Sequence, residues 1–501
     1  MSELKTNVLY YGDNLDVLRQ HIPDESIDLI YLDPPFNSKR SYNVLFRESS
    51  GAASDAQIEA FEDTWRWGPS ARQAYEEVIT GPNQKVARTL KALVDGLEHN
   101  EVTAYLCMMS VRLVELHRVL KGTGSIYLHC DPSAGPYLRI IMDALFYPKN
   151  FIREIVWAYG TPSGGRVSGA KPVKGHDTIL AYAKSYGSHK YKMIHLAYSQ
   201  KYIEERFVYV DENGRRYRTR KRKGVLTRQY LDESKGIPLS DTWSDIKQLY
   251  AYHWKKRKEE ELGFETQKPL ALLERIIKIS SDQNDLVLDP FCGCGTTVYA
   301  ANKLVRRWIG IDITYLAINL IERRMRDAFK EIEIDVIGEP KDLASAKDLA
   351  RRDKWQFQWW ALTKINAQPV ASKKKGADRG IDGVIPFFAG PTEDYKRAIV
   401  SVKGGEHVGV SVIRDLVGVI ERENEPIGIV LTLEPPTQPM ITEAASAGFY
   451  ASEFWGRKFP RIQILTIEEM FKGVRPELPW GKSPYAKAPK EHNPSKQLPL
   501  V

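Results

Sequence analysis

At 501 residues the chain is too long for one ordinary core and predicts two or three domains. A composition that is 43% hydrophobic and 27% charged is that of a globular protein with material for a sizeable core. No apolar run of about eighteen residues or more is present, which excludes a helical membrane span, and a net charge of +8 only weakly favours an anionic partner.

The start, Met1-Ser2-Glu3-Leu4-Lys5, lacks the basic-then-apolar pattern of an export signal. From Val8 to Leu180 short apolar strands alternate with amphipathic helices. Ile27–Leu32 reads as a buried strand that runs into Asp33-Pro34-Pro35-Phe36. Helix Val102–Leu120, strand Gly124–Leu128, helix Ala134–Phe146 and strand Thr178–Tyr182 follow. That alternation predicts a mostly parallel sheet covered on both faces. From Lys184 to about Glu265 the rhythm breaks into a charged, tyrosine-rich stretch. It has a turn at Asp211-Glu212-Asn213-Gly214 and a basic block at Arg215-Arg216-Tyr217-Arg218-Thr219-Arg220-Lys221-Arg222-Lys223. A solvated loop and a phosphate-contacting surface are both open readings of that block.

Strand–helix order resumes with helix Lys268–Ser280, strand Leu286–Leu288, helix Thr297–Leu304, strand Trp308–Asp312 and helix Tyr315–Phe329. A further region begins near Ser345. It has helix Ala346–Ile365, the basic loop Ser372-Lys373-Lys374-Lys375, strands Gly383–Phe388 and Arg397–Val402, a helix at Val412–Glu421 and strand Ile427–Leu431. The Pro- and Lys-rich tail 480–501 is expected to be disordered. The expected domains are 1–335, with 184–265 as an insertion, and 345–475. Cys107, Cys130, Cys292 and Cys294 are too few for a disulfide framework, and no second pair completes a zinc site, so a reduced, cytoplasmic protein is expected.

Two stretches carry chemistry. Asp33-Pro34-Pro35-Phe36 places an acid, two rigid residues and an aromatic where a buried strand emerges, a set able to hold a flat base and accept hydrogen bonds from its amino group. Far downstream, Leu286–Leu288 leads into Asp289-Pro290-Phe291-Cys292-Gly293-Cys294-Gly295-Thr296. A strand, an acid, a glycine turn and a helix start cradle a nucleotide-like ligand. Gly293 and Gly295 permit close backbone approach, and the amides at the helix start near Thr296 favour a carboxylate or phosphate. Asp312 ends the next strand roughly twenty residues on, where an acid meets ribose hydroxyls. A helix-capping role for it stays open.

These motifs resemble the β class of amino-methylating DNA methyltransferases. Tyr11-Gly12-Asp13-Asn14, the Asp33–Phe36 tetrapeptide, Gly124-Ser125-Ile126-Tyr127-Leu128-His129-Cys130-Asp131, His176-Asp177-Thr178-Ile179-Leu180, Thr266-Gln267-Lys268-Pro269 and the Asp289–Thr296 turn match that family in order. The resemblance covers roughly the first two thirds of the chain, a span fitting one large α/β domain with an insertion. It implies an S-adenosylmethionine-dependent, Rossmann-like methyltransferase sheet with permuted motifs, acting on a base flipped out of double-stranded DNA. By that resemblance the Asp33 carboxylate and the Pro34 carbonyl accept the amino protons, Pro35 helps hold that carbonyl, and Phe36 stacks on the base. Phe291 lies against the cofactor with Asp289 and the glycines, Asp312 binds its ribose, Asp13 approaches its adenine, and the segment of Lys268 completes the methionine end. His129 and Asp131 either support the site or belong to packing. An acid rather than a serine at position 33 favours N6 of adenine, with N4 of cytosine as the alternative. The insertion occupies the target-recognition position, which makes Arg215, Arg216, Arg218, Arg220, Lys221 and Arg222 the expected DNA contacts. Gly236–Ile246, with Asp241 and Trp243, resembles a recurrent segment of these enzymes. A cognate restriction enzyme and a homodimer are the partners left open, and no membrane is expected.

Gly376-Ala377-Asp378-Arg379-Gly380-Ile381-Asp382-Gly383, followed by Ala398-Ile399-Val400-Ser401-Val402-Lys403, resembles the PD-(D/E)xK core of Mrr-type restriction enzymes. There, carboxylates hold Mg²⁺ and a lysine positions the attacking water. Asp382 and Lys403 match. Ser401 stands where an acid or glutamine is usual, and Gln358 where an acid is common. The resemblance therefore leaves two readings: a restriction–modification fusion that also cleaves DNA, or a DNA-binding or structural remnant.

Overall fold

A computed structural model describes residues 4–35, 41–47, 53–62, 67–160, 173–222, 225–249, 267–330, 332–370, 380–389, 395–405 and 408–479. Phe36, Thr266, the Ser372–Lys375 loop, Gly376–Arg379, Lys223 and the tail 480–501 lie outside the described residues.

Ile27–Leu32 is buried at every position, as a strand with helices on both faces requires. Its one acid, Asp28, is satisfied by Lys121 Nζ at 2.7 Å and the Leu286 amide at 3.0 Å. Around it forms a nine-stranded sheet. Its order is Thr242–Trp243, Phe151–Ala158, His176–Ala183, Leu120–Cys130, Ile27–Leu32, Leu286–Asp289, Arg307–Asp312, Val8–Tyr11 and Asp335–Ile337. Only His176–Ala183 runs antiparallel to its neighbours, so the expected mostly parallel sheet is found. One face carries helices Asn14–His21, Pro69–Thr80, Gln84–Leu97, Glu101–Val119 and Gly135–Phe146; the other carries Leu270–Ser280, Thr296–Lys303 and Tyr315–Ala328. Among the described residues no helix is long and apolar enough to cross a membrane.

Register positions the site. Leu288 pairs with Ile30, Asp289 with Gly310, and Tyr11 with Asp312. The carboxyl ends of four neighbouring strands therefore lie side by side, bringing Asp33, Asp289, Asp312 and Gly12 to one edge. Chain order reverses between Ile27–Leu32 and Leu286–Asp289, and a crevice at such a reversal is where open α/β sheets take ligands.

The insertion is not a loop where the basic block lies. Arg216–Arg222 is the central strand of a small antiparallel sheet between Tyr209–Val210 and Val225–Tyr230. The expected turn is present, with the Gly214 amide donating to the Asp211 carbonyl at 3.0 Å. The buried Trp243 returns the chain to the main sheet beside Trp157.

Beyond residue 340 the single helix expected over Ala346–Ile365 is two, Leu343–Arg352 and Lys354–Lys364. Asp353 breaks it: its backbone is extended and its side chain accepts from the Trp355 and Gln356 amides, both at 3.0 Å. A short acid that can cap competes with helix continuation. Five strands follow in the order Gln368–Pro369, Gly383–Phe388, Tyr395–Lys403, Ile427–Thr432 and Ile462–Thr466. This second layer meets the first through helices Tyr315–Ala328 and Lys354–Lys364. Tyr315 is buried within its core cluster, and the Tyr315 and Tyr11 rings stack with centroids 3.7 Å apart.

Candidate active site

A cavity of about 390 Å³ opens at the shared strand edge. Of the residues singled out from sequence, Asp13, Asp33, Pro35, Lys268, Asp289, Phe291, Gly293, Thr296 and Asp312 line it. Pro34 is buried beside it. Gly295 supports it as the residue preceding helix Thr296–Lys303, with φ +74°.

Asp33 divides its carboxylate between two environments. Oδ2 forms an ion pair with Lys268. Oδ1 is buried and has no hydrogen-bond partner among the described residues. An unsatisfied buried acceptor is costly and rare, so one on a residue that lines a cavity points to a donor on the ligand. Lys268, expected at the cofactor, is thus also what orients Asp33.

Asp312 holds the glycine turn while lining the cavity. Its Oδ2 accepts from the Gly293 amide at 2.9 Å, and its Oδ1 from the Thr314 amide and hydroxyl at 2.9 and 2.8 Å. The helix cap that the sequence left open falls instead to Thr314, whose Oγ1 accepts from the Ala317 amide at 3.3 Å. Burial pushes the Asp312 carboxyl up to about 6, against the hydrogen bonds from Thr314 and Gly293. Burial likewise pushes Asp289 up to about 7, with the nearby charges of Asp33 and Asp312 adding and donors from Thr297 and Phe291 opposing. Two protonatable carboxyls on one wall suit a ligand that brings hydroxyl donors and positive charge.

Asp13 has a different immediate partner from the one expected. Arg112 Nη2 lies 2.9 Å from both of its oxygens, and Asp13 also accepts from the Leu15 amide at 2.8 Å as a helix cap. Arg112 Nε in turn donates to Asn14 Oδ1 at 2.6 Å, and Asn14 Nδ2 to the Pro290 carbonyl at 2.8 Å. This clamp ties the two cavity walls together. Arg112 was not singled out from sequence; its signal was an arginine in the middle of helix Glu101–Val119, set between Val111 and Leu113 and buried.

The basic block splits. Arg215 is engaged by Asp232 and Glu233, and Arg218 by Gln229 and the Tyr202 hydroxyl, so these two serve their own sheet. Arg216, Arg220 and Lys221 are exposed; the side chain of Arg222 lies outside the described residues.

Among the described residues the Asp382 site offers a magnesium ion one carboxylate, already hydrogen-bonded, and so fits it poorly. Its Oδ1 accepts from Gln358 Nε2 at 3.0 Å, and its Oδ2 from the Val402 amide at 2.6 Å and the Ser401 hydroxyl at 3.2 Å. Protein donors thus occupy the carboxylate that would ligate the metal, and Ser401 supplies no second one. Lys403 ends the same strand. Among the described residues no cluster of three or more His, Cys, Asp or Glu could hold a metal ion.

The family model for DNA methylases matches residues 27–323. The type II methyltransferase M.BamHI of Bacillus amyloliquefaciens is 27% identical over 323 residues, covering 64% of this chain and 58% of that protein. The Mod subunit of the type III restriction-modification enzyme StyLTI of Salmonella typhimurium is 26% identical over 364 residues, covering 60% of this chain and 50% of that one. The DNA adenine methyltransferase YhdJ of Escherichia coli K12 is 27% identical over 335 residues, covering 65% and 83%. The chain thus spans 58% and 50% of the length of the first two relatives.

Proposed function

The chain belongs to the DNA methylase family, and on that premise we propose that it transfers a methyl group from S-adenosylmethionine to the exocyclic N6 of adenine in double-stranded DNA. The observation that carries this reading is the buried, unpartnered Asp33 Oδ1 in the cavity that also holds the glycine turn and Asp312.

An exocyclic amino group is a poor nucleophile because its lone pair is delocalised into the ring. Acceptors aimed at its two protons favour the geometry in which that lone pair is localised, which is electrostatic stabilisation at the point where charge develops. Asp33 Oδ1 and the Pro34 carbonyl are the acceptors we assign. The base must leave the duplex to reach them. When bound, the cofactor supplies an electrophilic sulfonium methyl group. Asp312 would hold its ribose, and Asp289, Phe291 and the turn through Gly295 would enclose it. Phosphate contact falls to the exposed Arg216, Arg220 and Lys221, with Arg215 and Arg218 stiffening the strand that presents them. Adenine is favoured by the acid at position 33 and by the E. coli relative, a DNA adenine methyltransferase. A cognate restriction enzyme is a partner consistent with the restriction-modification relative.

Sequencing with modified-base detection on DNA from a host expressing this chain tests the reading. N6-methyladenine at one recurrent sequence is expected. N4-methylcytosine there would turn the assignment to the alternative base, and no modified base would overturn it.

The second reading, that the C-terminal sheet also cleaves DNA, loses support from the occupied Asp382. We take this sheet to be nuclease-like without the metal chemistry. Plasmid incubated with the protein and Mg²⁺ is expected to remain supercoiled, and cutting that Asp382→Ala removes would reverse this assignment.

A further inference from the structure

Behind the cavity lies a chain of polar groups that the Asp33 assignment does not use. His129 is fully buried at the end of strand Leu120–Cys130. The Tyr31 hydroxyl lies 3.2 Å from its Nδ1, and Asp177 Oδ2 lies 3.2 Å from its Nε2. Lys174 Nζ meets Asp177 Oδ1 at 2.6 Å and Asp131 Oδ2 at 3.3 Å, and the Tyr159 hydroxyl donates to Asp177 Oδ1 at 3.5 Å. The Trp157 ring meets the imidazole edge-on, with centroids 6.0 Å apart. Tyr31 lines the same cavity as Asp33, whereas Lys174 is 42% exposed, so the chain runs from the cavity wall to solvent.

The direction of its hydrogen bonds follows from donor counting. Nε2 and the Asp177 carboxylate meet at ion-pair distance rather than in an aligned hydrogen bond; beside an ionised Asp177, which can only accept, the hydrogen belongs on Nε2, and Nδ1 is left with its lone pair. Tyr31 must then donate to Nδ1, and its oxygen lone pairs remain available as acceptors for a group in the cavity.

We propose that Tyr31, His129 and Asp177 form a relay that removes the proton released by methyl transfer. The inference rests on the methyl-transfer reading above. As the N–CH₃ bond forms and the S–CH₃ bond breaks, the amino nitrogen is left with two hydrogens, a methyl group and a positive charge. One N–H bond must break, its electron pair returning to the nitrogen. Asp33 Oδ2 is already occupied by the Lys268 ammonium, and Oδ1 is needed to orient the amino group. The N–H held by the Pro34 carbonyl, an oxygen too weakly basic to take a proton, turns to the Tyr31 oxygen as the nitrogen becomes tetrahedral and gives its proton up there, while the Tyr31 O–H proton passes to His129 Nδ1. The charge rests on an imidazolium held by the Asp177 carboxylate until water admitted at product release takes the proton. Burial, with Asp33, Asp289 and Asp177 adding to it, holds the Tyr31 phenol well above its usual range, so the shuttle passes through a neutral hydroxyl. Tyr31 touches the substrate in this scheme; His129 and Asp177 are positioning residues that act through it.

Two conservative variants test the relay. Tyr31→Phe keeps the ring, and Asp177→Asn keeps the shape. Their single-turnover rates are measured by radiolabelled methyl transfer to DNA from a host without adenine methylation. Each variant is expected to slow transfer by roughly 10²-fold, the low end for a positioned acid–base group, with KM for DNA and calorimetric affinity for S-adenosylmethionine near wild type. Because the residues act as one chain, the double variant should be no slower than Tyr31→Phe alone. Wild-type rates in either single variant, effects that multiply in the double, or a matching loss of cofactor affinity would each overturn the relay while leaving the methyl-transfer reading intact. A wild type that methylates no base would instead sink that reading, and the relay with it.

Discussion

Asp33→Ala is expected to lower methyl transfer to DNA by about 10²–10³-fold, the usual loss when one preorganised electrostatic partner of a transition state is removed, while calorimetric binding of S-adenosylmethionine persists. The side chain does no work in holding the glycine turn: that falls to Asp312, through the Gly293 amide and Thr314. What Asp33 offers is Oδ1, buried and unpartnered among the described residues, with the carboxylate held in place by Lys268. Truncation leaves the amino group of the target base without its acceptor and leaves the Lys268 ammonium without this carboxylate. Asp33→Asn keeps one acceptor oxygen but no charge for Lys268, and should fall between the two. Loss of cofactor binding in step with the rate would contradict the division of labour between Asp33 and Asp312.

The second large effect concerns the two glycines of the turn, which should respond unequally. Gly295 has φ +74°, and a Cβ there would lie 2.7 Å from Ile321 Cγ1 and 3.0 Å from its Cγ2. Ile321 is fully buried and β-branched, so it cannot swing aside. Gly293, at φ +50°, has no atom within 4 Å of the same added carbon. Gly293→Ala therefore carries only the left-handed backbone cost, about 1–2 kcal/mol. Gly295→Ala adds overpacking, typically a further 1–3 kcal/mol, and displaces the start of helix Thr296–Lys303. Denaturant unfolding should rank Gly295→Ala well below Gly293→Ala, with cofactor affinity at least tenfold weaker in the former. Equal stabilities would mean that the turn and the Ile321 helix are not packed as described.

Much of the architecture was readable because strands buried on both faces are almost wholly apolar. Ile27–Leu32 and Leu286–Leu288 could hardly be anything else, and the acids that follow them stand out by contrast. Parallel pairing then carries Asp33 and Asp289 to one edge without further information. Side-chain partnerships were not readable, because they join residues far apart in the chain. Lys268 and Asp33 are separated by 235 positions, and Arg112 and Asp13 by 99. A motif can mark each as polar and near a ligand, yet which one pairs with which depends on packing. The basic block shows the same limit, since composition counts charges but not the Asp232 and Glu233 that engage Arg215. The break at Asp353 did leave a local signal, a capping acid inside a helical pattern, which periodicity alone passes over. The short strand Ile462–Thr466 was missed because Gln463 and Thr466 interrupt the apolar run that marked the other strands.

The stacked Tyr11 and Tyr315 bear on how such a protein can be divided. Tyr11 closes the strand before Gly12 and Asp13, and Tyr315 follows Thr314, so both stand one step from the cavity wall. Their rings are part of the seam with the C-terminal sheet, in whose core Tyr315 is buried. Removal of the C-terminal half would uncover the buried Tyr315 and one side of the partly buried Tyr11, at about 1.5–3 kcal/mol for a large side chain returned fully to water. A recombinant that kept the methylase half alone would need compensating polar residues at positions 11 and 315. The two halves are therefore joined by a pair of packed aromatic rings as well as by the chain that connects them.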